Sequence, residues 1–254
     1  MVKAAGKIVA FSNHKGGVGK TCSVANIGAA FAKAGKKTLL IDLDPQGNLT
    51  TALGVEDPER TIYGALRGIH KLEPFNITER LDIIPADIDL SAAEMELSGE
   101  AGREYILREL LEPLKALYDY ILIDCPPSLG LLTINALTAA KWVMIPLQAE
   151  FLALKGLTKL GEVVEKVQKR LNKDLTLAGV FLTRYDTRLT LNKRVLETAE
   201  ARFPGKVFKT VIRNNVAIAE APAAGLDIFR YAASSNGAED YSALAKELLK
   251  ITLK

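Results

Sequence analysis

Short apolar, β-branched runs alternate along the chain with longer segments whose apolar positions recur every three to four residues. Lys7 to Ser12 (KIVAFS), Thr38 to Leu43 (TLLIDL), Leu81 to Pro85 (LDIIP), Tyr120 to Asp124 (YILID), Trp142 to Leu147 (WVMIPL) and Leu177 to Thr183 read as buried strands, with a further short one over Val207 to Thr210. Helical spacing covers Lys20 to Ala34, closed by Gly35, then Leu157 to Leu171, Leu191 to Phe203 and Ala238 to Ile251. Between Arg103 and Leu117, Ile106, Leu107, Leu110, Leu111, Leu114 and Leu117 fall on one helical face. Uninterrupted apolar strands are those of a mostly parallel sheet covered by helices on both sides. The pattern therefore predicts an α/β fold, a single doubly wound domain over residues 1–254. No internal repeat or domain boundary interrupts it.

Composition narrows the function classes. Hydrophobic residues make up 48% of the 254 residues and charged residues 25%, so the chain can bury a substantial core. Aromatics are only 6%, which argues against a stacking platform for single-stranded nucleic acid. The two cysteines, Cys22 and Cys125, form neither a disulfide framework nor a zinc site and suit a reducing compartment. The N-terminus has too short an apolar stretch for a signal peptide, and no run approaches the roughly 18 apolar residues of a membrane span. A cytoplasmic location is the expectation.

The chemistry concentrates where the first strand meets the first helix. Lys15-Gly16-Gly17-Val18-Gly19-Lys20-Thr21 lies between them, the setting a phosphate-binding loop needs. Glycines let backbone N–H groups approach phosphates without a Cβ in the way, and the helix N-terminus adds partial positive charge. Lys20 can pair with the β- and γ-phosphates, and the Thr21 hydroxyl can ligate Mg²⁺. Cys22 follows directly and joins the nucleotide-binding set. Two acids, Asp42 and Asp44, stand at the end of the second strand, where period-2 geometry puts both on one face. A third, Asp124, ends the strand before Pro126-Pro127.

This loop, with His14 in place of its usual first glycine and Lys15 following, resembles the deviant Walker A loop of the ParA, Soj and MinD P-loop ATPases. The resemblance implies ATP and Mg²⁺ as cofactors and a homodimer when ATP is bound. It also implies that Lys15 reaches the partner's ATP, the alternative being one more phosphate contact within the same subunit. Asp44 matches the position that orients the attacking water, Asp42 supports the Mg²⁺ shell, and Asp124 resembles a Walker B acid. Ile212-Arg213-Asn214-Asn215-Val216 is similar to the Soj segment that contacts adenine, with Asn215 the adenine candidate and Arg213 beside it.

Three branches of that family then compete. A partition ATPase is favoured by Asp186-Thr187-Arg188, similar to a Soj segment whose arginine holds non-specific double-stranded DNA. Net charge is only +3, yet residues 184–230 carry nine Lys/Arg against five Asp/Glu. Arg184, Arg188, Lys193, Arg194, Arg213 and Arg230 are accordingly the candidates for phosphate contacts, which carry no sequence preference. Ala217 stands where Soj relatives usually have a second arginine. The partition reading also implies a ParB-like stimulating partner and association with the nucleoid. A membrane-cycling ATPase like MinD would need a basic amphipathic C-terminus; here Ala245 to Lys254 is short and lacks Phe or Trp. A redox ATPase like nitrogenase iron protein needs two cysteines outside the loop, and Cys22 abuts Thr21.

Overall fold

The computed structural model describes residues 5–150 and 153–253, with only the backbone given for 153–158. Residues 1–4, the start of the segment read for a signal peptide, lie outside the described residues, as does the final Lys254.

Seven strands form one sheet: β1 (Lys7–Phe11), β2 (Thr38–Asp42), β3 (Phe75–Thr78), β4 (Leu81–Ile84), β5 (Tyr120–Asp124), β6 (Trp142–Gln148) and β7 (Thr176–Thr183). Their order is β3-β4-β2-β5-β1-β6-β7, parallel throughout except for β3, which runs antiparallel to β4 at the edge. Every residue of β2, β5 and β6 is buried, because helices cover both faces.

Alternate residues of the strands supply two separate cores. One face carries Ile8, Leu39, Ile41, Ile121 and Ile123. It packs against α3 (Ile62–Leu66), α4 (Leu90–Glu96), α5 (Ile106–Leu111), α6 (Leu131–Ala139), α7 (Ala153–Arg170) and α8 (Thr190–Arg202). The other carries Val9, Phe11, Leu40 and Leu122 against α1 (Lys20–Lys33) and the last helix, Asn236–Thr252. Gly28 sets the closeness of α1 to the sheet, since a Cβ there would lie 2.6 Å from a methyl of Leu40. The last helix buries Tyr241, Leu244, Ala245 and Leu248 in this core. Its apolar face is thus occupied within the domain.

Two expectations are corrected. The helix from Arg103 to Leu117 is α5 followed by a 3₁₀ turn, Glu112–Ala116, because Pro113 has no N–H to continue the α ladder. Val207 to Thr210 is not a strand. Val207 makes one isolated bridge to Val180, and the amides of Lys209 and Thr210 donate to the Glu247 carboxylate at 3.1 and 2.9 Å. The structure also adds the edge strand β3, in which apolar and polar residues alternate (Phe75, Asn76, Ile77, Thr78); it is partly exposed and lacks the uninterrupted apolar run that marks the central strands.

Nucleotide ligands in open α/β sheets lie beyond the carboxyl ends of the strands, where connections diverge to either side. Here β1 has β5 on one flank and β6 on the other. The loops after β1, β2, β5 and β7 all leave from that edge.

Candidate functional site

These loops enclose a cavity of about 620 Å³. Gly16 to Cys22 line one side of it, and Ile212 to Asn215 with Pro222 line the other. The loop is fixed at its root by Asn13, which donates to the Pro146 carbonyl at 2.7 Å and accepts the Lys15 amide at 3.1 Å. Gly17 and Gly19 have φ of 72° and 87°, left-handed values that a side chain would strain. Thr183 at the end of β7 donates to the Val18 carbonyl at 2.9 Å, tying the loop to the sheet.

The N-terminus of α1 fits a bound phosphate. Its cap residue is Gly19, which offers no side chain to the free amides, and its first turn holds no acid. Lys20 is buried, its Nζ 3.5 Å from the Lys15 carbonyl oxygen, and it too lines the cavity. A magnesium ion fits beside it. The Thr21 hydroxyl donates to Asp124 Oδ2 at 2.6 Å, while the buried Oδ1 of Asp124 has no partner among the described residues. An orphaned carboxylate oxygen beside a Thr hydroxyl is a hard-oxygen donor set suited to Mg²⁺ or its bound water. Burial, and then the neighbouring Asp42, push the Asp124 carboxyl well above its usual range, the response expected of an acid built to face a cation.

Asp42 and Asp44 separate. β2 ends at Asp42, so the period-2 relation no longer holds at Asp44, two residues beyond it. Asp44 lines the cavity, its Oδ1 accepting the Gln46 amide at 3.1 Å. Asp42 is fully buried and does not line the cavity; it accepts the Asp44 amide at 3.2 Å and both the amide and hydroxyl of Thr50 at 2.9 and 2.7 Å. Its oxygens hold the loop that carries Asp44 and begins α2 (Asn48–Ala52), and its charge is the second cause of the raised Asp124 pKa, so it stands beside the acid that fits Mg²⁺.

Lys15 lies outside the cavity lining. Its Nζ forms an ion pair with Glu150 at 2.7 Å, both side chains partly exposed. Cys22 does line the cavity, and Cys125 is buried beneath it, where burial pushes its thiol up.

The charged candidates divide into three groups. Arg188, Lys193 and Arg194 are exposed. Arg188 pairs with Asp186 at 2.7 Å, its guanidinium holding that carboxyl down at about 2. Arg213 and Arg230 are less exposed and are also paired with carboxylates. Arg213 clamps the start of the last helix, with 2.6 Å contacts to Asp240 and Glu239, and Arg230 pairs with Asp227. Arg213 still lines the nucleotide cavity, although its charge is matched. Arg184 also lines that cavity. Asn215 lines it as well, while its Oδ1 caps the short helix α9 (Val216–Glu220) through the Ala217 amide at 2.9 Å.

Gln46, Asn48, Asn214 and Tyr241 also line the cavity and are not among the residues expected from sequence. Gln46 and Asn48 carry a usable signal, since they closely follow Asp44. Tyr241 enters from the last helix, bonded through its hydroxyl to Ser23 at 3.2 Å, and no local motif announces that contact.

A family model described as an AAA domain matches residues 6–177. The chain is 50% identical over 248 residues to the sporulation initiation inhibitor protein Soj of Bacillus subtilis, covering 96% of this chain and 98% of that one. It is 49% identical to the chromosome-partitioning ATPase Soj of Treponema pallidum, covering 96% and 97%. A crystal structure named as cobyrinic acid a,c-diamide synthase from Mycobacterium smegmatis, holding an ATP analogue and magnesium, superposes with a TM-score of 0.88. It shares 38% identity and covers 96% of this chain and 94% of that one.

Proposed function

Since this chain belongs to the ParA/Soj/MinD family of P-loop ATPases, we propose that it is an ATP-driven dimerisation switch of the partition branch. It binds ATP with Mg²⁺ and hydrolyses it. The diamide synthase name describes other chemistry on the same fold, and fold alone does not choose between chemistries. The two Soj proteins, about half identical over nearly the whole chain, favour partition.

The observation that carries this reading is the placement of the two loop lysines. Lys20 sits in its own cavity, whereas Lys15 is outside it on Glu150. A lysine held beside the cavity mouth is free to swing to a nucleotide in a second copy, supplying positive charge in trans as an arginine finger does. Within one protomer, the loop amides and Lys20 hold the phosphates, and Thr21 with Asp124 holds Mg²⁺. Asp44 orients the attacking water, and Asn215 meets the base. Magnesium supplies charge neutralisation on the phosphates. Residues 1–254 act as a single ATPase domain in the cytoplasm, associated with the nucleoid. A ParB-like protein stimulates turnover.

DNA contact falls to Arg188, Lys193 and Arg194, at the start of α8 and the loop before it. A dimer presents them twice, so ATP-driven closure raises DNA affinity by multivalency. The membrane-cycling alternative is less favoured, because the last helix packs its apolar face in the core.

A titration of arbitrary duplex DNA with ATP at several salt concentrations tests this reading. Wild-type binding should fall steeply with salt, and Arg188→Ala should weaken it and make the slope shallower by about one for each phosphate no longer neutralised. Wild type that ignores DNA at low salt yet binds anionic liposomes would refute it.

A further inference from the structure

The amino ends of the parallel strands, on the edge opposite the nucleotide cavity, carry a row of cations. Lys7 opens β1, Lys36 and Lys37 precede β2, Arg80 precedes β4 and Lys141 precedes β6. Backbone hydrogen bonds run from strand to strand at this edge and fix the order of the row. The Thr38 amide donates to the Arg80 carbonyl at 2.9 Å, and the Asp119 amide to the Lys37 carbonyl at 2.8 Å. The Lys7 amide donates to the Asp119 carbonyl at 3.0 Å, and the Lys141 amide to the Ile8 carbonyl at 3.0 Å. Hydrogen-bonded strands lie about 4.8 Å apart, so the path from β4 through β2, β5 and β1 to β6 is about 19 Å long.

Among the described residues, Lys7, Lys36, Lys37 and Lys141 form no ion pair, and Arg80 has only the exposed Glu79 at 3.8 Å. Three of the ammonium groups lie over aromatic rings instead. Lys7 is 5.6 Å from the centre of Tyr120, Lys37 is 5.0 Å from that of Tyr118, and Lys141 is 4.7 Å from that of Trp142. A ring face holds an ammonium in place without cancelling its charge. Asp119 is the carboxylate within the row, and its Oδ2 accepts the Lys37 amide at 2.8 Å. It does not offset the crowding of like charges. Burial, then Lys36 and Lys141, hold the Lys7 ammonium below its usual pKa although Asp119 acts the other way. Gathered cations of this kind repel one another, and an anion laid along them relieves the repulsion.

We infer that this row is a second DNA contact, separate from the Arg188 group, and that it takes the phosphates of one strand of a duplex. Its choice of ligand rests on the partition reading. Each strand of a duplex carries a phosphate about every 3.4 Å along the axis, so a length of about 19 Å presents five or six of them to the row. Tyr118, Tyr120 and Trp142 are buried, which leaves no ring free to stack on a base. The contact is therefore with the backbone and carries no sequence preference. It also does not depend on ATP. The row lies at the far edge from the cavity, so a protomer keeps it after hydrolysis has opened the dimer. The Arg188 group gains from dimer closure, whereas the lysine row gives the ADP-bound protomer a weak hold on DNA.

The test follows binding of a labelled duplex of arbitrary sequence to the full chain by fluorescence anisotropy, at several salt concentrations, with Mg²⁺–ADP and with a slowly hydrolysed Mg²⁺–ATP analogue. The variants are Lys36→Gln with Lys141→Gln, the charge-keeping pair Lys36→Arg with Lys141→Arg, and Arg188→Ala. With ADP, wild type should bind at low salt. The glutamine pair should bind at least about ten-fold more weakly, with a salt slope shallower by about 1.8, the value for two phosphates no longer neutralised. The arginine pair should match wild type, and basal ATP hydrolysis should be unchanged in both pairs. With the ATP analogue, Arg188→Ala and the glutamine pair should each lower the slope, and their effects should add. A glutamine pair that keeps the wild-type slope and affinity would overturn the inference, and so would wild type that ignores DNA with ADP at low salt. Loss of binding to anionic phospholipid vesicles, with DNA binding intact, would overturn it in favour of a lipid ligand. In these cases an Arg188→Ala effect with the ATP analogue would leave the partition reading standing. Wild type that ignores DNA with either nucleotide would remove both.

Discussion

Replacing Asp42 with asparagine should remove a specific pH dependence from the stability of the nucleotide-free protein. Asp42 is fully buried at the end of β2, and burial raises its pKa from 3.8 to about 6 despite the hydrogen bonds from Thr50 and the Asp44 amide. The folded state therefore binds this proton more tightly than the unfolded chain does. Below about pH 4 both states are protonated and the group costs nothing. As pH rises through about 6 the folded carboxyl must ionise in its buried site, and the corresponding stability is lost. A rise of that size corresponds to roughly 3 kcal/mol between about pH 4 and about pH 6. The neighbouring Asp124 adds to the trend, because Asp42 is the second cause of its own raised pKa. Urea unfolding of wild type and Asp42→Asn in EDTA, from about pH 4 to about pH 7.5, isolates the effect as a difference between the two curves. The asparagine amide faces the Thr50 donors, so the variant is destabilised at about pH 4, and that penalty should shrink by roughly 3 kcal/mol toward pH 7. A difference that is flat across this range would refute the assignment of Asp42 as a costly buried carboxylate. Saturating Mg²⁺–ATP should weaken the dependence, since a divalent cation beside Asp124 favours the ionised forms.

Two other substitutions probe the switch. Asp44→Ala should trap the ATP-bound dimer, with stimulated turnover falling at least about a hundred-fold and DNA residence lengthening, because the water loses its orienting carboxylate while Lys20, Thr21 and Asp124 remain; near-normal stimulated turnover would make Asp44 structural. Glu150→Gln should release Lys15 and tighten the ATP dimer by no more than about five-fold in sedimentation, since partly exposed ion pairs contribute up to about 1 kcal/mol; a weaker dimer would show that Glu150 is needed within the interface.

How much of the site is legible in the sequence follows from how far apart the partners lie. The phosphate loop, Asp44 and Asp124 are read locally, each from a strand end or a turn whose chemistry is complete within a few residues. A two-residue period misplaces Asp42, because it ceases to apply after the last residue of β2. The arginines mislead differently. Arg213 looks like free charge until Asp240, 27 residues on, is brought against it by the last helix. Arg184 looks like part of the same basic run, but the left-handed turn after β7 sends it to the cavity, and no residue type at that position announces a positive φ. Asn13, the loop's anchor to Pro146, depends on a contact 133 residues away.

The switch turns on the placement of Lys15 on Glu150, outside its own cavity. Its decisive measurement is sedimentation velocity of wild type and Lys15→Gln, with Mg²⁺ and a slowly hydrolysed ATP analogue, and with nucleotide binding measured on the same samples. Wild type should sediment as a dimer, and Lys15→Gln should bind the analogue with affinity close to wild type yet remain a monomer. A Lys15→Gln protein that dimerises as well as wild type, or that loses nucleotide binding as a monomer, would contradict the assignment of Lys15 to the partner's nucleotide.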